Sequence, residues 1–241
     1  MLLLSEVGGR QAAARRASDP EPAKGGGAAE AGVFGLLGLL IAFTFSGAAA
    51  RFEDRRHLIS DVANAIGTAY FRVDLLPAET QSAIRDLFRN YADIRAAAYR
   101  NAADPQATVR SLSDGAALQG KIWATSWAAC QRPDAPAQAT MLLLPALNEM
   151  IDITTTRATA TENHPPPVVF VLLGGLCLIG ALLVGHGTSP DKSRTWFHPV
   201  IFAVVLSVTV YVIVDIEYPR LGLIRVDAAD QVLLDLRRSM R

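Results

Sequence analysis

The sequence has few cysteines and no excess of charge of either sign. Among its 241 residues only Cys130 and Cys177 are cysteines, too few for a disulfide framework, and Cys177 lies in an apolar run where a thiol behaves as a small hydrophobe. Lysine plus arginine and aspartate plus glutamate number 23 each, so no basic surplus favours an anionic partner. The composition therefore excludes a disulfide-stapled domain and predicts no nucleic-acid partner.

Recognisable catalytic and ligand-binding motifs are also missing. No glycine-rich loop follows a strand pattern, no serine nucleophile elbow occurs, and no set of cysteines and histidines has metal-ligand spacing. His57 and Asp61 stand four residues apart, an arrangement more typical of a solvated helix face than of a metal site. The sequence therefore predicts a protein that is not an enzyme and has no catalytic residues, cofactor or metal.

Long apolar runs are what the sequence does contain, with 51% hydrophobic and only 19% charged residues. Uncharged or nearly uncharged runs at residues 31–50, 168–185 and 196–214 approach the roughly 20 residues that cross about 30 Å of hydrocarbon. The prolines at 165–167 suit the entry to a helix, so the second helix is assigned to residues 165–185. The sequence predicts three transmembrane helices and a lipid bilayer as the surrounding medium.

The first 30 residues differ from the runs that follow. They open with three leucines before polar residues appear, which is shorter than the apolar core of a signal peptide. We expect residues 1–30 to form a polar, flexible segment rich in glycine, alanine and proline. We also expect that Met1 is an internal methionine and that a further membrane span lies upstream of it.

Residues 51–164, between the first two spans, are long enough for a separate helical layer. The first span should continue into this insert, because apolar residues follow it at alternating spacings of three and four, at Ile59, Val62, Ile66, Ala69, Val73 and Leu76. Pro77 suits the start of another helix, and two more helices are expected before residue 164, the last weakened by Pro145. The predicted fold is all-α: a multi-pass membrane helical bundle with a helical extramembrane insert.

Basic residues near the spans give a slight orientation bias. Those on the insert side outnumber the opposite set by one, with Arg51, Arg55, Arg56, Arg157, Arg220 and Arg225 against Arg15, Arg16, Lys24, Lys192 and Arg194. Since positive charge favours the cytoplasm, the insert is predicted to be cytoplasmic.

The last span ends in charged residues. Three spans place residue 51 and residue 215 on the same side of the membrane, and a carboxylate near membrane depth favours a partner. Asp215 and Glu217 are therefore predicted to pair at the interface with Arg51, Arg55 or Arg56, the alternative being two solvated carboxylates. The following residues, within a tail at 215–241, predict a short amphipathic helix that packs on the insert.

Three stretches resemble a known family. They are "AFTFSGAAARFEDRRHLISDVANAIGTAYFRVDLLP" at 42–77, "LNEMID" at 147–152 and "DIEYPRLGLIRVD" at 215–227. Together they resemble the bestrophin-like family of uncharacterised bacterial membrane proteins, over nearly the whole chain from about residue 32. Val62 stands where the family usually has a glutamate. The family-motif positions are Asn64, Gly67, Thr68, Arg72, Pro219 and Arg220.

The resemblance implies a fold and a candidate function. Members typically have four spans, two on each side of a helical insert, and their name links them to bestrophins, pentameric anion channels whose cytoplasmic domain continues the pore helices. This implies an oligomeric channel for an inorganic anion. A pore would be lined by the first span at Phe43, Thr44, Ser46 and Gly47, although helix packing by these residues is an alternative. The alternative function is a non-conducting scaffold or sensor that binds an unknown protein partner through its insert.

Overall fold

The computed structural model describes residues 1–18, 26–100, 105–187, 197–218, 222–223 and 227–240, and within these it contains helices and no strand. The α-helices are α1 (Leu2–Ser18), α2 (Gly26–Arg72), α3 (Ala78–Arg100), α4 (Pro105–Cys130), α5 (Ala137–Glu162), α6 (Pro167–Gly187), α7 (Phe197–Glu217) and α8 (Asp227–Ser239). A 3₁₀ turn at Val73–Leu75 follows α2. The predicted all-α fold is confirmed.

The helices form two compact units. The membrane unit comprises Met1–Ala50 and His164–Glu217, and the insert unit comprises Arg51–Asn163 and Tyr218–Arg241. Among the described residues, three stretches are long and apolar enough to cross a membrane, namely Gly27–Leu75, Ala137–His186 and Phe197–Glu217. The first two contain the runs at 31–50 and 168–185, and the third contains the run at 196–214 from Phe197 onward.

Helix α2 belongs to both units, because it continues without a break for 47 residues. Its first part carries the uncharged run, and its second part carries the alternating three- and four-residue spacing. The first four residues of that spacing, Ile59 to Ala69, lie on α2, whereas Val73 lies in the 3₁₀ turn and Leu76 follows it; all six are at most 5% exposed. The prediction that the first span continues as a helix with one buried seam is confirmed.

The core of the membrane unit is a cluster of apolar side chains from α2, α6 and α7. Leu37, Leu173, Cys177 and Leu206 are buried there. The rings of Phe34 and Phe202 meet edge to face, with centroids 5.8 Å apart. This geometry favours aromatic pairs because the positive edge of one ring faces the negative face of the other.

Helix α1 differs from the flexible segment expected over residues 1–30. Leu2–Ser18 is helical and packs on α6, and α2 already begins at Gly26. The contact depends on two glycines, since a Cβ atom on Gly8 would overlap the carbonyl group of Leu182, and one on Gly185 would overlap that of Ser5. Small residues let two helix backbones approach closely. These glycines therefore allow α1 to pack on α6, although the sequence of this segment is largely polar.

The insert unit has a larger core. Helices α3, α4, α5 and α8 surround it, with fully buried side chains that include Ile84, Phe88, Ile122, Leu143, Leu147, Met150 and Leu233. Helix α8 supplies Leu233, and its Arg237 Nε donates a hydrogen bond to Asp93 Oδ1 of α3 at 2.8 Å. The expected packing of an amphipathic tail helix on the insert is confirmed.

Candidate pore-lining face and charged residues at the span ends

The membrane part of α2 has one packed side and one open side. Leu37 and Ala48 are buried, whereas Leu36, Leu39 and Phe43 are more than half exposed. Phe43 is the most exposed of these at 67%, and Ser46, one turn further on, is also exposed. Spacings of three and four residues place these side chains on one side of the helix, which the other described residues leave uncovered.

The four predicted pore residues do not share this environment equally. Phe43 and Ser46 lie on the open side, while Thr44 and Gly47 are half-buried. The Thr44 hydroxyl donates to the backbone carbonyl of Leu40 at 2.7 Å, with that of Ile41 at 3.0 Å. This hydroxyl is engaged by its own helix, so Phe43 and Ser46 are the two with side chains available to a pore.

Glycines widen the open side of α2. A Cβ atom added to Gly32, Gly35 or Gly38 would meet no described atom within 4 Å. In a membrane, a helix surface of this kind allows close approach by another helix.

The family-motif positions in the insert unit have mixed roles. Asn64 and Thr68 are exposed on α2, whereas Gly67 is buried with Leu236 Cδ1 3.2 Å from where its Cβ would be. Arg72 donates to the carbonyl oxygen of Leu142 at 2.6 Å and thereby joins α2 to α5. Pro219 and Arg220 lie outside the described residues.

The carboxylates that end α7 are buried. Glu217 is fully buried and Asp215 is 6% exposed. Oε1 of Glu217 lies 2.8 Å from Nδ1 of His164, the residue that begins the second segment of the membrane unit. A buried carboxylate needs such a partner, because an isolated charge removed from water is costly.

Two of the arginines predicted to pair with these carboxylates contact other residues in the structure. Arg55 donates to the carbonyl oxygens of Ala160 and Asn163, at 3.2 Å from Nε and 3.0 Å from Nη2. These acceptors lie at the carboxyl end of α5, where carbonyl groups lack helical partners and a cation is favourable. Arg56 pairs with Glu53 at 3.0 Å on the surface of α2. The pairing of Asp215 or Glu217 with Arg51, Arg55 or Arg56 stays a prediction.

Sequence reasoning did not identify His164 as the partner of Glu217. The available signal was topological: His164 immediately precedes the prolines that open α6, and three spans bring this point and the end of α7 to the same side. The two residues are 53 positions apart, so no spacing rule connects them.

These features define an all-helical membrane protein with a helical insert, and comparison with known proteins gives its family. The profile of the Bestrophin-like domain matches residues 28–230, and the chain belongs to this family. No curated protein sequence matches it.

Solved structures share the fold. One variant of a bacterial bestrophin homologue from Klebsiella pneumoniae superimposes with a TM-score of 0.71 at 14% identity, over 99% of this chain and 98% of that one. Another variant of that homologue gives 0.67 at 16%, over 99% and 97%. A third structure, of a membrane protein, gives 0.67 at 16%, over 98% and 97%. At these identities the similarity establishes a common fold.

Proposed function

We propose that the protein is an oligomeric ion channel, selective for inorganic anions, in which the open side of α2 lines the pore. The observation that carries this proposal is an apolar aromatic side chain, Phe43, exposed on a membrane helix whose other side is packed. Copies arranged around an axis would bring Phe43 rings together as a hydrophobic constriction, with Ser46 supplying hydroxyl groups one turn away.

The continuity of α2 supports the same function. One helix carries the proposed pore face and then enters the insert unit, as in the channels that the family resembles. From His57 to Thr68 the exposed side is polar, at His57, Asp61, Asn64 and Thr68, which suits a water-filled vestibule. Directly after the span, Arg51, Arg55 and Arg56 outnumber Glu53 and Asp54 by one, and this net positive charge favours anions over cations near the end of the span.

Flux into liposomes that contain the full chain tests this proposal. Chloride and potassium flux are measured for the wild type, for Phe43→Ala and for the control Phe45→Ala. Phe45 is 44% exposed and two positions along the helix, so it points to another side of α2. We expect Phe43→Ala to raise the flux or change its selectivity, and Phe45→Ala to leave both close to wild type.

Three results would contradict different parts of this proposal. Folded, inserted protein without flux would favour the alternative, a scaffold or sensor that binds a partner through the insert. Equal effects of the two phenylalanine substitutions would remove Phe43 from the pore wall. Potassium flux above chloride flux would contradict the anion selectivity alone.

A further inference from the structure

A buried arginine lies in the core-facing stripe of α3. Phe88, Tyr91 and Arg95 follow one another at spacings of three and four, and all three face the interior of the insert unit. Arg95 is only 4% exposed. Arginine is almost never buried to this extent without a partner, because its guanidinium stays charged in proteins.

Arg95 has no such partner in the described part of the chain. Its Nε atom is buried without a hydrogen-bond acceptor, and no ion pair includes it. The acidic residues of its own helix are engaged elsewhere, since Glu79 pairs with Arg132, Asp86 with Arg89 and Asp93 with Arg237. The positive charge of Arg95 is therefore not balanced by a carboxylate within the described insert unit.

Among the described residues, an aromatic ring lies beside this charge. The guanidinium carbon lies 6.0 Å from the ring centroid of Tyr91, at the outer limit of a cation–π contact. The ring itself is held in place, because Gln119 Nε2 donates to the Tyr91 hydroxyl at 2.8 Å and lies 3.3 Å from Thr154 Oγ1. The Tyr91 ring thus has a fixed position beside Arg95, and it offers no acceptor to the buried Nε of that residue.

We propose that Arg95, beside the ring of Tyr91, binds a small carboxylate-type anion in the insert unit. A guanidinium presents N–H groups in a planar fork that matches two oxygens of one planar anion. Because Arg95 is buried, the ligand must consist of only a few atoms. Its single negative charge would balance the single positive charge of the guanidinium. This site belongs to the insert unit and does not depend on conduction by the protein.

Formate is the probe, because it is the smallest carboxylate, and gluconate is the matched anion that is too large for a buried site. The full chain in detergent is heated in mixtures of the two sodium salts at constant ionic strength, and unfolding is followed by tryptophan fluorescence. Trp123 and Trp127 lie on α4, within the insert unit. At ten times the dissociation constant we expect formate to raise the unfolding temperature by about 3–6 °C.

Two variants locate the effect. Arg95→Gln removes the charge and should lose the response to formate. Arg110→Gln removes an exposed arginine of α4 and should respond as the wild type does. If Arg95→Gln fails to fold, Arg95→Lys keeps the charge without the fork and should weaken formate binding by about tenfold or more, in line with the loss of one charge-assisted hydrogen bond.

Three outcomes would overturn the proposal. The first is equal unfolding temperatures of the wild type in formate and in gluconate. The second is an Arg95 variant whose unfolding temperature responds to formate as strongly as that of the wild type. The third is an unfolding temperature that depends on protein concentration and not on formate, which would assign the acceptor to a second copy of the chain.

Discussion

Nδ1 of His164 lies 2.8 Å from Oε1 of Glu217, and this contact joins the start of the α6 segment to the end of α7. The glutamate is fully buried, whereas the histidine side chain keeps 30% of its surface exposed. The pair thus joins two helix ends of the membrane unit through a hydrogen bond between a buried carboxylate and a partly exposed imidazole.

Loss of this carboxylate should destabilise the protein. Glu217→Ala leaves the ring nitrogen of His164 without its acceptor and leaves a cavity, so we expect a loss of about 1–3 kcal/mol, seen as a lower unfolding temperature in detergent. Glu149→Ala removes an exposed glutamate of α5 and should change the unfolding temperature little. Equal losses in the two variants would contradict a structural role for the pair.

The predicted interfacial pairing of Asp215 is tested by charge reversal. If Asp215 pairs with Arg51, Arg55 or Arg56, Asp215→Arg should reduce the yield of folded protein, because two like charges then face each other at the interface. Adding the reversal of the true partner, for example Arg51→Asp, should restore the yield. No rescue by reversal of any of the three arginines would rule the pairing out.

Neighbouring arginines of α2 should differ in their effect on α5. Arg55 donates to carbonyl groups at the end of that helix, whereas Arg56 pairs with Glu53 on its own helix. Arg55→Ala should therefore increase amide hydrogen exchange near the end of α5, since the carbonyls lose their donor. Arg56→Ala serves as the control, because an exposed pair contributes only about 0–1 kcal/mol. The same exchange pattern in both variants would contradict the capping role of Arg55.

The packing of α1 should depend on Gly8. Gly8→Ala places a methyl group against the carbonyl of Leu182, so the two helices must separate. We expect faster hydrogen exchange in α1 and a lower unfolding temperature. Gly32→Ala adds the same methyl group where no described atom lies within 4 Å, and it should leave both measurements unchanged. Unaltered exchange in Gly8→Ala would show that α1 does not rely on this contact.

Much of the fold could be predicted because it depends on local patterns. The six seam residues from Ile59 to Leu76 were all identified by spacing, and all are buried. On α3 the apolar pattern alone would not place a charged residue in the core. The structure places Arg95 on the buried side instead. A search for apolar residues at helical spacing passes over a charged residue, so it assigns the positions next to Arg95 to the core and not Arg95 itself.

The candidate site was only partly predictable for a similar reason. Phe43 and Ser46 were grouped with Thr44 and Gly47 by their position in the first span, yet the structure separates them by exposure. Which side of a uniformly apolar helix is packed depends on its neighbours α6 and α7, and the sequence of α2 does not contain that information.

The sequence by itself determined that the chain is helical, enters a membrane and carries a helical insert, because composition and periodicity act over one or two turns. The tertiary structure decided which distant groups meet: Glu217 with His164, Gly8 with the backbone of Leu182, and Arg95 with the ring of Tyr91. These contacts join residues on different helices or select one rotation of a helix. Such choices are made by the packing of the whole unit, where close contact and burial of charge are balanced together.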